Sequence, residues 1–251
     1  MGKIIAMVNQ KGGVGKTTSA VNLTAALSAL GLKVLLCDFD PQANATSGLG
    51  VDKHKIKYSA YDVTINDIPA EQAIVKTKYG DVLPSSADLA GATVELITSN
   101  HRERQLEKAL QPLKGKYDVI FIDCPPSLEL LTLNALCAAD GILIPVQCEY
   151  YALEGLTDLM NTLRMVKKRI NPRLEIFGVV LTMFDGRTNF STQVAQEVRK
   201  HFPGKVYANA IPRNVRLAEA PSHGLPVLSY DKHSKGALAY RAVAEEIAKN
   251  I

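Results

Sequence analysis

Two lysines flank a cluster of glycines near the start of the chain. Lys11 comes directly before the glycines, Lys16 directly after them, and Thr17 follows. Glycine N–H groups are open to an anion, a lysine ammonium can bind outer phosphates, and a hydroxyl can bind Mg²⁺. The spacing predicts a phosphate-binding loop rather than a plain glycine-rich turn. The other residues assigned to this loop are Gly12, Gly13, Val14, Gly15 and Thr18.

Two predicted elements would hold this loop in place. The apolar run 4–8 predicts a buried strand, and residues 19–30 have the periodicity of a helix. A helix that begins at the loop adds the positive end of its dipole to the phosphate site. Gln10 stands where the common G-x-x-x-x-G-K-[ST] pattern has its first glycine, so the loop departs from the standard form.

Aspartates follow two further apolar runs, where those predicted strands end. Asp38 ends the run 33–38, Asp40 comes two residues later, and Asp123 follows the run 118–122. The carboxyl ends of parallel strands meet at one edge of a sheet, where open α/β sheets bind ligands. Asp123 can therefore hold Mg²⁺ through a water beside the loop. For the pair Asp38 and Asp40, a turn followed by a helix cap is the alternative.

Strand-like apolar runs alternate with helical stretches along the chain. This alternation predicts an α/β fold: a doubly wound, mostly parallel β-sheet with helices on both faces. At 251 residues the chain could form one α/β domain or two small ones, and we favour one domain over residues 1–251. Hydrophobic residues make up 47% of the chain and charged residues 22%, which is ordinary for a soluble α/β protein. No apolar run has the length of a membrane span and no signal peptide is recognisable, so we expect a cytoplasmic protein.

The glycine-rich motif K-G-G-V-G-K-T-T resembles the deviant Walker A loop of the ParA/MinD family of P-loop ATPases. D-F-D-P-Q and D-C-P-P-S are similar to the two switch motifs of that family. The resemblance implies that Lys11 reaches the phosphates of a nucleotide bound by a partner subunit, and that Asp40 orients or activates the attacking water. It implies catalytic roles for Lys11, Lys16 and Asp40. The implied Mg²⁺ ligands are Thr17, Asp38 and Asp123.

The segment that begins I-P-R-N-V-R at Ile211, which we expect to follow a further strand, is similar to the loop that lies against adenine in this family. Asn214 can donate and accept hydrogen bonds at the base edge, and Pro212 would pack on the ring. This segment and the run 149–155 resemble chromosomal ParA proteins of the Soj type, and the resemblance covers essentially the whole chain.

Membership of this type implies a Mg²⁺-dependent ATPase that forms an ATP-bound homodimer. It further implies nonspecific DNA binding, a ParB-type partner that stimulates hydrolysis, and a nucleoid-associated role in chromosome or plasmid partitioning. Soj-type proteins are also linked to control of replication initiation and sporulation. A MinD-like membrane-cycling ATPase in division-site placement and a phosphotransferase are the alternatives.

Basic residues are concentrated in residues 164–216, with eleven lysines and arginines against three acidic residues. Such a surplus indicates DNA or a membrane as partner, or solvated basic helix faces. The final helix, 237–251, lacks the basic amphipathic character of a membrane anchor, so the sequence favours salt-sensitive DNA binding over membrane binding. The candidates for DNA contact are Arg187, Arg199, Lys200, Arg213 and Arg216.

The four cysteines show no C-x-x-C spacing. We expect buried reduced thiols, with a cluster shared by two subunits as the alternative.

Overall fold

Six strands form one parallel sheet at the centre of the protein. The structure is a computed structural model that describes residues 2–127, 129–149 and 152–251, and for residues 152–155 it describes the backbone alone. The strands are β1 (Lys3–Met7), β2 (Val34–Asp38), β3 (Asp81–Leu83), β4 (Val119–Asp123), β5 (Gly141–Gln147) and β6 (Glu175–Thr182). Their order across the sheet is β3-β2-β4-β1-β5-β6, and each neighbouring pair is parallel.

Helices connect the strands and continue beyond the last one. The longer helices are α1 (Lys16–Ala29), α5 (Leu89–Thr98), α7 (Leu130–Ala138), α8 (Ala152–Arg169), α9 (Asn189–His201) and α12 (Lys235–Ala248). The shorter ones are α2 (Asn44–Gly48), α3 (Ala60–Ile65), α4 (Ala70–Ala73), α6 (Gln105–Leu110), α10 (Val215–Glu219) and α11 (Val227–Tyr230). Two 3₁₀ turns cover Gln111–Gly115 and Ala220–His223.

Two hydrophobic layers pack on opposite faces of the sheet. Successive side chains of β1 alternate between them, because neighbouring residues of a strand point to opposite faces: Ile4 and Ala6 belong to one layer, Ile5 and Met7 to the other. One layer contains residues of α1, α11 and α12, and the other contains residues of α5, α7, α8 and α9. The prediction of a doubly wound parallel sheet with helices on both faces is confirmed.

The sequence predicts a strand just before Ile211, and this prediction is wrong. Residues 205–211 lie along β6 but make only isolated bridges to it, such as Val179 with Val206. The N–H groups of Ala208 and Asn209 donate to the carboxylate of Glu246 in α12, at 2.8 and 3.0 Å. These two N–H groups are therefore withdrawn from the ladder, and the segment runs as a loop.

Among the described residues, no helix is both long and apolar enough to cross a membrane.

Candidate functional site

The glycine-rich loop joins β1 to α1 at the carboxyl edge of the sheet. Gly13 and Gly15 have φ values of +74° and +88°, which favour glycine. A Cβ at Gly12 or Gly13 would meet no atom within 4 Å, so the backbone of the loop faces open space. The Thr182 hydroxyl donates to the Val14 carbonyl at 2.8 Å and holds the loop against the end of β6. This is a backbone cradle suited to phosphate.

The two lysines of the loop have different surroundings. Lys16 is 7% exposed, and its ammonium donates to the Asn9 carbonyl at 3.1 Å. Burial lowers the pKa of Lys16, and the nearby charge of Asp123 opposes this. Lys11 instead pairs with Glu149 at 3.3 Å, and its side chain is 34% exposed. One lysine thus belongs to the cradle, and the other is held by a residue that follows β5.

The carboxylates of Asp38 and Asp123 meet at the ends of neighbouring strands, where the two residues are register partners. Both residues are completely buried. Neither carboxylate oxygen of Asp123 has a well-formed hydrogen bond in the described part of the chain, although the facing Thr17 hydroxyl lowers its pKa. Burial, and then the charge of Asp38, raise that pKa well above its ordinary value. Asp123 is thus a buried carboxyl group without a well-formed hydrogen bond among the described residues, and the Lys16 ammonium is the nearby opposite charge.

Asp38 is satisfied by the segment that follows it. We call residues 38–51, which include α2, the switch segment. The Asp38 Oδ2 accepts hydrogen bonds from the N–H and the hydroxyl of Thr46, at 2.7 and 2.6 Å. The Thr46 hydroxyl oxygen in turn accepts from the N–H of Ser85 at 3.0 Å. Burial raises the pKa of Asp38 to about 6, against the lowering effect of the Thr46 hydrogen bonds.

Asp40 is partly exposed and lies at the start of the switch segment. Its Oδ1 accepts the N–H of Gln42 at 2.9 Å, and its own N–H donates to Asp38 at 3.3 Å. Its charge also acts on both Lys16 and Asp123, so it lies near the cradle. The turn expected of an aspartate after a strand is therefore present, and the carboxylate still faces the site.

A cavity of about 250 Å³ lies beside the loop, between Gly15 and Thr18 on one side and the segment 211–218 on the other. Pro212 and Asn214 both line it, as the resemblance implies. The Asn214 Oδ1 already accepts the N–H of Arg216 at 3.0 Å, as the N-cap of α10, so its NH₂ group is the part left for a ligand. Further lining residues, for which the sequence held no motif, are Thr182, Met183, Leu217 and Tyr240.

These residues fit a Mg²⁺ ion bound together with phosphate. Mg²⁺ is held by one or two carboxylates, hydroxyls, waters and phosphate oxygens rather than by a cage of protein groups. The described residues contain no group of three or more His, Cys, Asp or Glu that could hold a metal alone. The unpaired, buried Asp123 and the facing Thr17 hydroxyl match this kind of site, whereas the carboxylate of Asp38 is already occupied by Thr46.

The structure does not bring the five DNA candidates together. Arg187 lies just after β6, and Arg213 lies two residues after Ile211, so both are near the carboxyl edge of the sheet. Arg199 and Lys200 lie in the last turn of α9, about 15 Å further along that helix. Four of the candidates also have carboxylate partners: Arg187 with Asp185, Lys200 with Glu197, Arg213 with Glu149, and Arg216 with Glu219 and Asp231.

All four cysteines are free and buried. Burial raises the pKa of each thiol, as for Cys148, whose value is raised to about 11.

Comparison with known proteins places this site in a family. A family model described as an AAA domain (AAA_31) matches residues 2–176. The sporulation initiation inhibitor protein Soj of Bacillus subtilis is 55% identical over 100% of both chains. The chromosome partitioning protein ParA of Myxococcus xanthus is 51% identical over 99% of this chain and 89% of its own length. The chain belongs to the ParA/Soj family of chromosome-partitioning ATPases.

A solved structure shares the ParA/Soj fold over the full chain. It is a cobyrinic acid a,c-diamide synthase from Mycobacterium smegmatis with bound ATP analog and magnesium, 38% identical, with a TM-score of 0.87. It covers 100% of this chain, and the chain covers 96% of it. The fold is that of a P-loop NTPase, and the resemblance read from the glycine-rich and switch motifs is confirmed.

Proposed function

We propose that the protein is a Mg²⁺-dependent ATPase that alternates between a monomer and an ATP-bound homodimer. In this cycle the dimer binds DNA without sequence specificity and drives chromosome or plasmid partitioning with a ParB-type partner. The observation that carries the proposal is the difference in surroundings of the two loop lysines. Lys16 is buried in the loop, whereas Lys11 is partly exposed and pairs with Glu149.

The nucleotide would be held by groups already in place. The N–H groups of residues 12–15 and the Lys16 ammonium bind the phosphates, and the cavity at Pro212 and Asn214 receives the base. Thr17 and Asp123 would hold Mg²⁺, which neutralises the charge that develops on the phosphates, and Asp38 would orient its water ligands. The ATP analog and magnesium bound by the Mycobacterium smegmatis structure support this assignment.

Hydrolysis would rest on positioning and electrostatics, as in other phosphoryl transfers. Asp40 is partly exposed beside the cradle, where it can orient a water toward the γ-phosphate. Lys16 stabilises the charge on the phosphoryl oxygens. Asp40 is also bound to the switch segment through the N–H of Gln42. Loss of the γ-phosphate would therefore change the contacts of Asp40, which lies near the start of the switch segment.

Dimerisation would use the second lysine. The Lys11 ammonium lies 3.3 Å from the Glu149 carboxylate. The two side chains are 34% and 46% exposed, so water screens the attraction between them. Such half-exposed pairs contribute only about 0.2–1 kcal/mol. Lys11 can therefore leave Glu149 at small cost and bind the phosphates of a nucleotide in a second subunit.

Binding of the dimer to DNA would follow from two copies of a basic surface acting together, since avidity multiplies weak contacts. A ParB-type protein would stimulate hydrolysis and release the subunits, and the protein would be cytoplasmic and associated with the nucleoid. The names of the Bacillus subtilis and Myxococcus xanthus relatives support partitioning as the output and a link to sporulation.

The test is size-exclusion chromatography with light scattering in Mg²⁺ with ATP, ADP or no nucleotide. We expect Asp40→Ala to bind ATP, to accumulate as a dimer and to hydrolyse at least about a hundredfold more slowly, the usual scale for a lost proton-transfer group. Lys11→Ala in the Asp40→Ala background should bind ATP and remain a monomer. Lys16→Ala should lose ATP binding in calorimetry.

Each variant addresses one part of the proposal. An Asp40→Ala protein that stays monomeric in saturating ATP and Mg²⁺ would overturn the dimer. Unchanged ATP affinity in Lys16→Ala would remove that lysine from the phosphate site.

A further inference from the structure

Two short segments bring five lysines to the side of the sheet that carries β3. We call Lys53, Lys55, Lys57, Lys76 and Lys78 the lysine patch; all five are exposed. The apolar residues between and beside them, Ile56, Val75 and Tyr79, pack against the core layer of α1 and α12. Because these neighbours point inward, the lysines are directed to solvent. The patch is therefore a consequence of packing and not of a flexible tail.

A turn of fixed geometry carries two of these lysines. Val75 and Val82 exchange backbone hydrogen bonds at 2.7 and 2.8 Å. Inside this turn the Thr77 hydroxyl donates to the Gly80 carbonyl at 2.7 Å and accepts the N–H of Tyr79 at 3.0 Å. Lys76 and Lys78 flank Thr77, and with Lys55 and Lys57 they line a cavity of about 520 Å³. The ammonium groups are thus presented around one concave surface.

The charge of this surface is almost unopposed. Lys55 pairs with Asp52 at 3.1 Å, and the other four lysines have no carboxylate partner among the described residues. Lys57 and Lys78 lie over the rings of the adjacent tyrosines, 4.9 Å from each centroid, which leaves their charge in place. By contrast, four of the five arginine and lysine candidates in residues 187–216 are neutralised by carboxylates. The lysine patch therefore carries more unpaired positive charge than these four candidates do.

The chemistry of the patch favours phosphate over lipid. Binding in a membrane interface needs apolar side chains that insert between lipids. None of the exposed large apolar residues of the described chain belongs to residues 52–57 or 75–79. Closely spaced lysines without inserted apolar groups are the usual contacts to the phosphates of a duplex, where they contribute affinity but no sequence preference.

The patch also adjoins the switch segment. Leu49, Gly50 and Val51 line the same cavity. The Val51 N–H donates to the Thr46 carbonyl at 3.2 Å, and Thr46 binds Asp38. The floor of the patch is thus joined through one residue to the strand end beside the proposed Mg²⁺ site.

From these observations we infer that the lysine patch is a second contact surface for the phosphates of double-stranded DNA, separate from the arginines of residues 187–216. This inference deepens the proposed function and depends on it, since it assumes that the protein binds DNA. The patch supplies phosphate contacts whose loss weakens all DNA sequences equally and lowers the salt dependence of binding.

The test compares the salt dependence of binding for Lys76→Gln/Lys78→Gln and the unaltered protein, on a labelled duplex of arbitrary sequence with ATP and Mg²⁺. Each lost phosphate contact reduces the slope of log affinity against log salt by about 0.9 and weakens binding about eightfold at 0.1 M salt. The slope for the double variant should therefore be smaller in magnitude, by about 2, than the slope for the unaltered protein. Lys76→Arg/Lys78→Arg, which keeps both charges, should restore it.

The control is Lys108→Gln/Lys249→Gln, which removes the same charge from exposed lysines elsewhere, although Lys108 pairs with Asp67 at 2.6 Å. It should leave the slope unchanged, and dimer formation with ATP is measured for every variant to verify folding. Equal slopes for the patch variant and the unaltered protein would overturn the inference. A loss confined to stimulation by a ParB-type protein would overturn it too and assign the patch to an acidic protein segment. If the unaltered protein binds no DNA, the proposed function itself fails.

Discussion

Replacing Thr46 with valine removes one hydroxyl that serves two buried partners. The Asp38 carboxylate loses a donor at 2.6 Å, and the N–H of the fully buried Ser85 loses its acceptor at 3.0 Å. A hydrogen bond to a charged group contributes about 1.5–3 kcal/mol, and an unpaired buried N–H costs about 1–3 kcal/mol. We therefore expect Thr46→Val to lower the free energy of unfolding by about 3–5 kcal/mol.

Thr64→Val is the matched control. Thr64 is also buried, but its hydroxyl donates only to the Ala60 carbonyl one turn earlier in α3, at 2.7 Å. That substitution changes the same atoms and should cost about 1 kcal/mol. The difference of about 2–4 kcal/mol between the two variants isolates the contribution of the pair Asp38 and Ser85.

The pH dependence gives a second check on the same hydroxyl. Burial raises the pKa of Asp38 from 3.8 to about 6, so between these values the folded protein binds more protons than the unfolded chain. The stability from this group is fully present below about pH 4 and is lost as pH rises through 6. The Thr46 hydroxyl lowers that pKa. Its removal should therefore cost more at pH 8, where Asp38 is ionised, than at pH 5.

Urea denaturation followed by circular dichroism, at pH 5 and pH 8 without nucleotide, measures both effects. If Thr46→Val loses no more stability than Thr64→Val, the Thr46 hydroxyl does not serve the two buried partners assigned to it. The reasoning is also refuted if the penalty of Thr46→Val is the same at the two pH values.

Two further predictions concern the segments around the site. Glu149→Gln frees Lys11 and should lower the ATP concentration for half-maximal dimerisation by up to about fivefold, since the half-exposed pair contributes at most about 1 kcal/mol; a light-scattering titration that shows no decrease would contradict this. In Gly178→Ala, the new Cβ would meet the Tyr207 ring at 2.5 Å, which should destabilise the protein by about 1–3 kcal/mol. Gly91→Ala, in an open position of α5, should cost nothing. Urea denaturation followed by circular dichroism measures both variants, and equal stabilities would contradict the clash at Tyr207.

Much of the candidate nucleotide site could be assembled from the sequence because its residues are close in sequence or lie at strand ends. The loop from Lys11 to Thr17 is continuous, with a strand on one side and a helix on the other. The meeting of Asp38 and Asp123 follows from the rule that parallel strands bring their carboxyl ends to one edge.

Other features could not be predicted because they depend on contacts between distant residues. Ser85 reaches Thr46 across 39 positions, and Tyr240 reaches Ser19 across 221. The strand expected before Ile211 depended on apolar pattern alone, whereas the carboxylate of Glu246 decides where the N–H groups of that segment go. A count of charges likewise did not reveal which arginines and lysines have a carboxylate beside them.

Tyr240 has a consequence for how the protein is made. Its side chain forms one wall of the cavity proposed to receive the base, and its hydroxyl lies 3.0 Å from that of Ser19, in the first turns of α1. Ser19 is translated 221 residues before Tyr240, so this wall arrives long after the glycine-rich loop, when α12 has been made. Until α12 docks on α1, the proposed base cavity of a nascent chain therefore lacks one of its walls.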